Sequence, residues 1–201
     1  GNGFFSLRKL LVIVQFCLST LLIIGILVIQ EQLNFIRNAE LGFDKEQIVV
    51  LKNGNQLNEN YNSFRNELLK DTRVVGVSQG HVPGKFNWSQ SFTIPGKESS
   101  VTMGIKHVDD HFVSLYNLKV VAGRAFTDSK SDSSEAVMIN ESAAKMLGWT
   151  NENAVGQKMS FVGGSDNRTL FNINVVGVLE DAHFSSFHRE IAPIVFKLST
   201  W

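Results

Sequence analysis

LLVIVQFCLSTLLIIGILVI, Leu10 to Ile29, is the stretch that decides how this chain is read. It is twenty residues without a charge, and fifteen of them are Leu, Ile, Val or Phe. At about 1.5 Å rise per residue, a helix of that length spans roughly 30 Å, the thickness of a bilayer's hydrocarbon core. Each central Leu, Ile, Val or Phe favours insertion by about 0.3–0.6 kcal/mol, which together outweighs Gln15, Ser19, Thr20 and Gly25. A cleaved signal peptide would have an apolar region of about 7–15 residues ending in a small-x-small site. This run is longer and passes straight into Gln30-Glu31-Gln32. A retained transmembrane helix over residues 10–29 is therefore expected, followed by one globular region.

The flanks set the expected orientation. Arg8 and Lys9 precede the span, Glu31 follows it, and the next basic residue is Arg37. Positive charge stays on the cytoplasmic side, so residues 1–9 read as a cytoplasmic tail and the globular region as extracytoplasmic. Outside the first nine residues the balance is 17 basic to 19 acidic side chains, so no basic footprint for nucleic acid exists. The one cysteine, Cys17, lies inside the span. The outer region therefore relies on its core instead of disulfides, which about 170 residues can supply.

Gln30 to Phe43 (QEQLNFIRNAELGF) carries a loose helical stripe of Leu33, Phe35, Ile36 and Leu41. It predicts that the membrane helix continues outward as a stalk over residues 30–45, stopped at Gly42. No Pro or Gly interrupts the chain between Gly25 and Gly42, so anchor and stalk are expected to form one rod. Gln47–Lys52 (QIVVLK) and Val74–Ser78 (VVGVS) read as strands. Between them Tyr61, Phe64, Leu68 and Leu69 mark one face of a helix over Asn60–Lys70. Strand, helix and strand in so short a span predict a βαβ unit with parallel strands.

Beyond it the pattern is mixed. Ser91–Ile94, Val101–His107, Ala136–Ile139, Phe171–Leu179 and Ile194–Leu198 read as strands. Asp109–Leu118 predicts a short helix capped by Asp109 or Asp110, and Glu141–Leu147 one capped by Asn140 and closed by Gly148. Lys119–Phe126 and a polar loop at Thr127–Ser134 lie between them. The fold class is α+β, with more strand than helix.

The chemistry-bearing residues do not form a site. His107 and His111 are four apart around Asp109 and Asp110, a spacing that serves zinc only if both lie on one helix, and His107 ends a strand instead. His183 and His188 beside Asp181 read the same way, as surface and capping residues. No Gly-x-Ser-x-Gly elbow is present. Pro95-Gly96-Lys97-Glu98-Ser99 is not a phosphate loop, because Ser91 stands where its first glycine is needed and Glu98 replaces Ser/Thr. Phe161-Val162-Gly163-Gly164 reads as a turn. No catalytic, cofactor-binding or metal residue is assigned.

The chain does resemble a family. Ser6–Leu51 resembles the leading helix and first strand of FtsX/MacB-type ABC transporter permeases. Four further segments resemble the periplasmic core domain of that family: His111–Phe126, Ala136–Trp149, Ala154–Phe161 and Val175–Phe196. The leading GNGFFSLRKL is most similar to the second repeat of the two-repeat permeases of Bacteroidetes. The resemblance implies that residues 46–84 are the first half of a Porter-type subdomain and 85–201 a Sabre-type subdomain. It also implies that the chain is a fragment, continuing in the family into the rest of the Porter fold and three more membrane helices.

The same resemblance implies a function. A separate cytoplasmic ATPase subunit hydrolyses ATP, and the permease relays the motion across the inner membrane, for efflux or for lipoprotein or peptide export. The chain itself is not an enzyme and needs no cofactor. Its partners are that ATPase, the bilayer, a second permease repeat or subunit, and a periplasmic protein. The rival reading is a membrane-anchored extracytoplasmic ligand-binding sensor, which a downstream cytoplasmic effector module would reveal. An anchored metalloenzyme using the histidine pairs is the weakest reading.

The orientation has a direct check. Reporter fusions at Lys52 or Ser134 should be active only as exported reporters, and a cytoplasmic readout would reverse the topology.

Overall fold

In the computed structural model, residues 2–38, 41–44, 46–51, 56–57, 60–82, 88–96, 99–127, 132, 135–163, 169–184 and 190–198 are described. The chain divides into two compact units, residues 1–40 and 41–201.

The first unit is one helix, α1 (Asn2–Asn38), running unbroken through both the apolar span and most of the expected stalk. Its apolar window covers Leu7–Arg37, with none of it buried against protein. In hydrocarbon every backbone N–H and C=O must be satisfied within the segment, which an unbroken helix achieves. Thr20 back-bonds to the Phe16 carbonyl, so even this hydroxyl has a partner in the helix. At about 1.5 Å per residue the rod is roughly 55 Å long. The stalk is shorter than expected, because Leu41–Asp44 are not helical.

The second unit is built on seven strands: β1 (Trp88–Thr93), β2 (Val101–Val108), β3 (Val120–Gly123), β4 (Ala136–Asn140), β5 (Lys158–Gly163), β6 (Thr169–Leu179) and β7 (Ile194–Leu198). Their order is β3-β6-β4-β7-β2-β1-β5, and β5 pairs again with β6. The sheet thus closes on itself. The first half of β6 pairs antiparallel with β5, from Asn174 opposite Lys158 to Thr169 opposite Gly163. Its second half pairs parallel with β4 and antiparallel with β3. Closure leaves few strand edges to template aggregation.

Residue type accounts for the two faces. Phe92, Met103, Ile105, Val137, Ile139, Met159, Phe161, Ile173, Val175 and Val195 point to one side and form a core with Ala143, Ala144 and Leu147. Those three belong to α4 (Glu141–Leu147), whose first turn is capped by Asn140 accepting from the Ala143 amide, with Gly148 left-handed at its end, as expected. Val108, Met138, Ile194, Phe196 and Leu198 point to the other side, onto the single-turn helix α3 (Phe112–Leu115) and the chain at Ala182 and Phe184. Strand β4 is buried on both faces, which explains its unbroken apolar run.

A bulge bends β6. Val137 faces Val175 but Met138 faces Gly177, leaving Val176 unpaired in the ladder. The extra residue lets Val175 and Val178, three apart, enter the same core. At the bend β3 approaches so closely that a Cβ on Gly177 would meet the Arg124 carbonyl, and one on Gly123 the Val176 carbonyl. Beyond β3, Arg124 binds Asp132 bidentately at 2.7 and 2.8 Å, while Thr127 donates to the same carboxylate from its amide and hydroxyl. The guanidinium first, then the Thr127 bonds, hold that carboxyl well below the usual carboxylate range.

Several expectations are corrected. The βαβ unit does not form. Helix α2 (Tyr61–Leu68) is present, but the described parts of 47–52 and 74–78 are not strands, and the nearest pairing is a lone bridge between Gly80 and Val108. Val49 is 83% and Val75 98% exposed, so these β-branched runs have the composition of strands without neighbours to pair with. Residues 161–163 end strand β5 and do not turn; Gly164 lies outside the described residues. Helix α3 is capped at His111 without a side-chain bond, and Asp109 is committed elsewhere. A further short helix, α5 (Asn151–Ala154), carries a capping box between Thr150 and Asn153 that was not expected from the sequence.

The bend in β6 makes a quantitative claim. Gly177→Ala should cost about 3 kcal/mol, since the new methyl must displace backbone. Gly96→Ala, with open space at its Cβ, should cost about 1 kcal/mol. Denaturant midpoints of the two variants should differ accordingly, and equal losses would contradict the close approach.

Candidate functional site: the clamp behind the helix

The four residues Leu41–Asp44, which follow α1 in sequence, are held to the globular unit at three points. The Leu41 carbonyl accepts from the His183 amide at 2.7 Å, and the Asp44 amide donates to the Tyr116 carbonyl at 2.9 Å. Between them Gly42 has φ +78°, and a Cβ there would crowd Ala182 and the Asp181 carbonyl at 3.0 Å. The chain can lie that close only without a side chain.

Phe43 is the third point. Its ring stacks on Phe184 (centroids 5.5 Å apart, planes 3° apart) and meets Tyr116 edge-on at 6.1 Å. Phe184 is 2% exposed and packs in turn on Phe196 of β7 at 5.5 Å and near Phe112 of α3 at 6.5 Å. Aromatic pairs of this kind contribute about 0.5–1.5 kcal/mol each beyond their area. The rings form a chain from Phe43 into the middle of the sheet.

Residues 181–184 can hold the clamp because Asp181 anchors them. Its Oδ1 accepts from Asn140 Nδ2 at 2.8 Å and the Ser142 amide at 3.0 Å, and its Oδ2 from Ser142 Oγ at 2.6 Å. Asn140, fully buried, also accepts from the Ala143 and Ile194 amides and donates to the Ala192 carbonyl. One amide side chain thereby ties the ends of β4, β6 and β7 together.

A second attachment lies at the end of β2. The Asp109 carboxylate accepts from Tyr61 Oη at 3.1 Å, from Ser78 Oγ, and from the Gln79 amide at 2.8 Å. Burial first, then the Asp109 charge, raises the Tyr61 phenol well above its ordinary value. The His81 amide donates to the His107 carbonyl at 2.8 Å, while the His107 amide donates to His81 Nδ1 at 3.0 Å. That bond assigns the His81 proton to Nε2. Burial, and then Lys106, lowers the His81 pKa. Burial, then His81 and Lys197, pushes His107 down to about 4.

Lys106 sits between the two attachments. It is fully buried, and its Nζ has no hydrogen-bond partner among the described residues. The ammonium position is 5.5 Å from the centre of the Phe184 ring. Burial pulls its pKa down to about 8.

The histidines singled out from spacing are dispersed. His107 is in β2 and faces His81, whereas His111 begins α3. His183 supplies a backbone amide to the clamp, and His188 lies outside the described residues. Among the described residues no group of three or more His, Cys, Asp or Glu side chains could hold a metal ion. What the arrangement does is fix Leu41–Asp44 to the sheet and its flanking segments. Sequence reasoning missed it because Phe43, Tyr116 and Phe184 are far apart in the chain and share no periodicity.

The family model described as the MacB-like periplasmic core domain matches residues 16–198. A curated relative, the macrolide export ATP-binding/permease protein MacB of Aggregatibacter actinomycetemcomitans, is 23% identical over 137 residues, covering 64% of this chain. The chain spans 20% of that relative's length. Among solved structures, the periplasmic region of MacB from Actinobacillus actinomycetemcomitans is 22% identical with a TM-score of 0.44, covering 68% of this chain and 64% of that one. The extracellular domain of the ABC-type transporter YknZ from Gram-positive bacteria is 18% identical with a TM-score of 0.46, covering 68% and 60%.

The half-buried His107 at the second attachment predicts a pH dependence. Its pKa in the folded chain, about 4, lies below the unfolded value of roughly 6.5. The unfolded state therefore binds more protons in that window, and stability falls as pH drops from about 6.5 to about 4. His107→Leu should show a shallower loss of melting temperature over that range, and an unchanged slope would mean His107 is not held neutral.

Proposed function

We propose, on the premise that this chain belongs to the MacB-like periplasmic core domain family, that it is the anchor and outer domain of an ABC transporter permease that relays motion across a membrane. In this reading α1 crosses the inner membrane with residues 1–9 in the cytoplasm, and the globular unit stands in the periplasm. A separate ATPase subunit drives the helix from the cytoplasmic side. The substrate class is efflux cargo or an exported lipoprotein or peptide, handed to a periplasmic partner.

One observation carries the reading. A 37-residue helix without a break is followed within a few residues by the Leu41–Asp44 clamp. A helix transmits axial and tilting displacement only if it is continuous, and a domain follows only if the chain leaving the helix is fixed to it. The unbroken α1 supports the first condition, and the bonds of Leu41 and Asp44 within the globular unit support the second. The exposed Val49, Leu51 and Val75 around α2 further support reading 46–84 as half of a Porter-type module whose partner strands come from elsewhere, and 85–201 as the Sabre-type subdomain.

The test breaks the rod without touching the domain. A proline inside a helix removes a backbone bond and clashes with the preceding turn, at about 3 kcal/mol or more. In the intact permease with its ATPase, Asn34→Pro should still insert and support ATP hydrolysis but lose transport, whereas Asn34→Ala should keep both. Normal transport by Asn34→Pro at equal expression would leave the outer domain a passive platform.

A further inference from the structure

We propose that Lys106 makes the clamp reversible: the closed clamp traps its side-chain amine without a hydrogen-bond partner among the described residues, and parting of the Phe43–Phe184 rings returns that amine to water, which favours its protonated form. The proposal rests on the clamp reading above and names how that site is regulated. The geometry is direct. Lys106 is fully buried on the face of β2 that looks onto Phe184, and its neighbour in β7 is Phe196. Phe184 is in turn the ring that Phe43 stacks upon. Displacing Phe43 therefore loosens the lid over the amine.

The surrounding charges do not relieve it. The Asp109 carboxylate, three residues on, accepts from Tyr61, Ser78 and Gln79. His81, beside β2, is the titratable neighbour that feels the Lys106 charge, and its Nδ1 accepts from the His107 amide. Lys197 pairs with His107, one register position away, and points to the opposite face of the sheet. A buried amine without a carboxylate favours whichever state hydrates it. Closed and open clamps thus differ in proton affinity, and lower pH favours opening.

Millisecond hydrogen exchange on the full chain in detergent tests this. With Lys106 at about 8 when closed and about 10.4 when hydrated, the opening constant should fall about tenfold from pH 7 to pH 9. Protection of the Asp44 and His183 amides, corrected for intrinsic rates, should rise by that factor, while Ile139 and Val195 in the sheet should not change. His81 titrates below this window. Lys106→Met should raise clamp protection at pH 7 and abolish its pH dependence. Lys106→Gln, which keeps a buried polar group, should abolish the pH dependence without raising protection, and serves alone if the Met variant does not fold. A flat wild-type profile, a pH dependence retained in the variants, or an equal change at Ile139 and Val195 would overturn the proposal. Exchange reads the clamp itself, so lost or retained transport bears only on the mechanical reading.

Discussion

Strand β6 has to bend for the rest of the globular unit's sheet to close. Its first half completes the ring by pairing with β5, and its second half turns at Val176 to pair with β4 and β3. The bulge works only where Gly123 and Gly177 let two backbones meet. Once the strand has bent, its end delivers Asp181 to Asn140, and the next three residues are positioned to grip Leu41–Phe43. The grip on the segment after the membrane helix is thus a downstream consequence of a local irregularity in one strand.

Buried polar groups are treated in two ways. Asp109, Asp132 and Asp181 each receive three or more hydrogen bonds, so their charges are compensated where they stand. Compensated carboxylates fasten segments in place: Tyr61 of α2 with residues 78–79, Arg124–Thr127 after β3, and the end of β6. Lys106 is handled differently: it is buried against the Phe184 ring with no acceptor among the described residues. A molecule that only needed stability would favour an apolar residue at that point. Its position beneath the clamp's aromatic chain is where a costly group has mechanical leverage.

Among the described residues from Val49 to Gln79, none belongs to a strand of the closed sheet. Helix α2 has no fully buried residue, and its attachment to the rest is concentrated at Tyr61, Ser78, Gln79 and His81. Few contacts and exposed β-branched residues mark a segment of low local stability.

The membrane helix was legible from residues 10–29 because length and apolarity are local properties, and so was α4, whose Asn140 and Gly148 announce its two ends. The strands around Val101–His107, Ala136–Ile139 and Phe171–Leu179 were legible for the same reason. The runs at 47–52 and 74–78 have strand composition, yet their described residues stay unpaired, because a strand is defined by its neighbour and no neighbour is written in the run itself. The clamp, the closure of the ring and the isolation of Lys106 depend on residues brought together across much of the chain, such as Phe43 with Phe184 and Lys106 with Phe196. The sequence by itself determined the anchor, the α+β composition and the absence of familiar catalytic motifs. Only the tertiary structure decided what the segment after the anchor is fastened to, because that fastening is made of non-local rings and backbone bonds that no periodicity encodes.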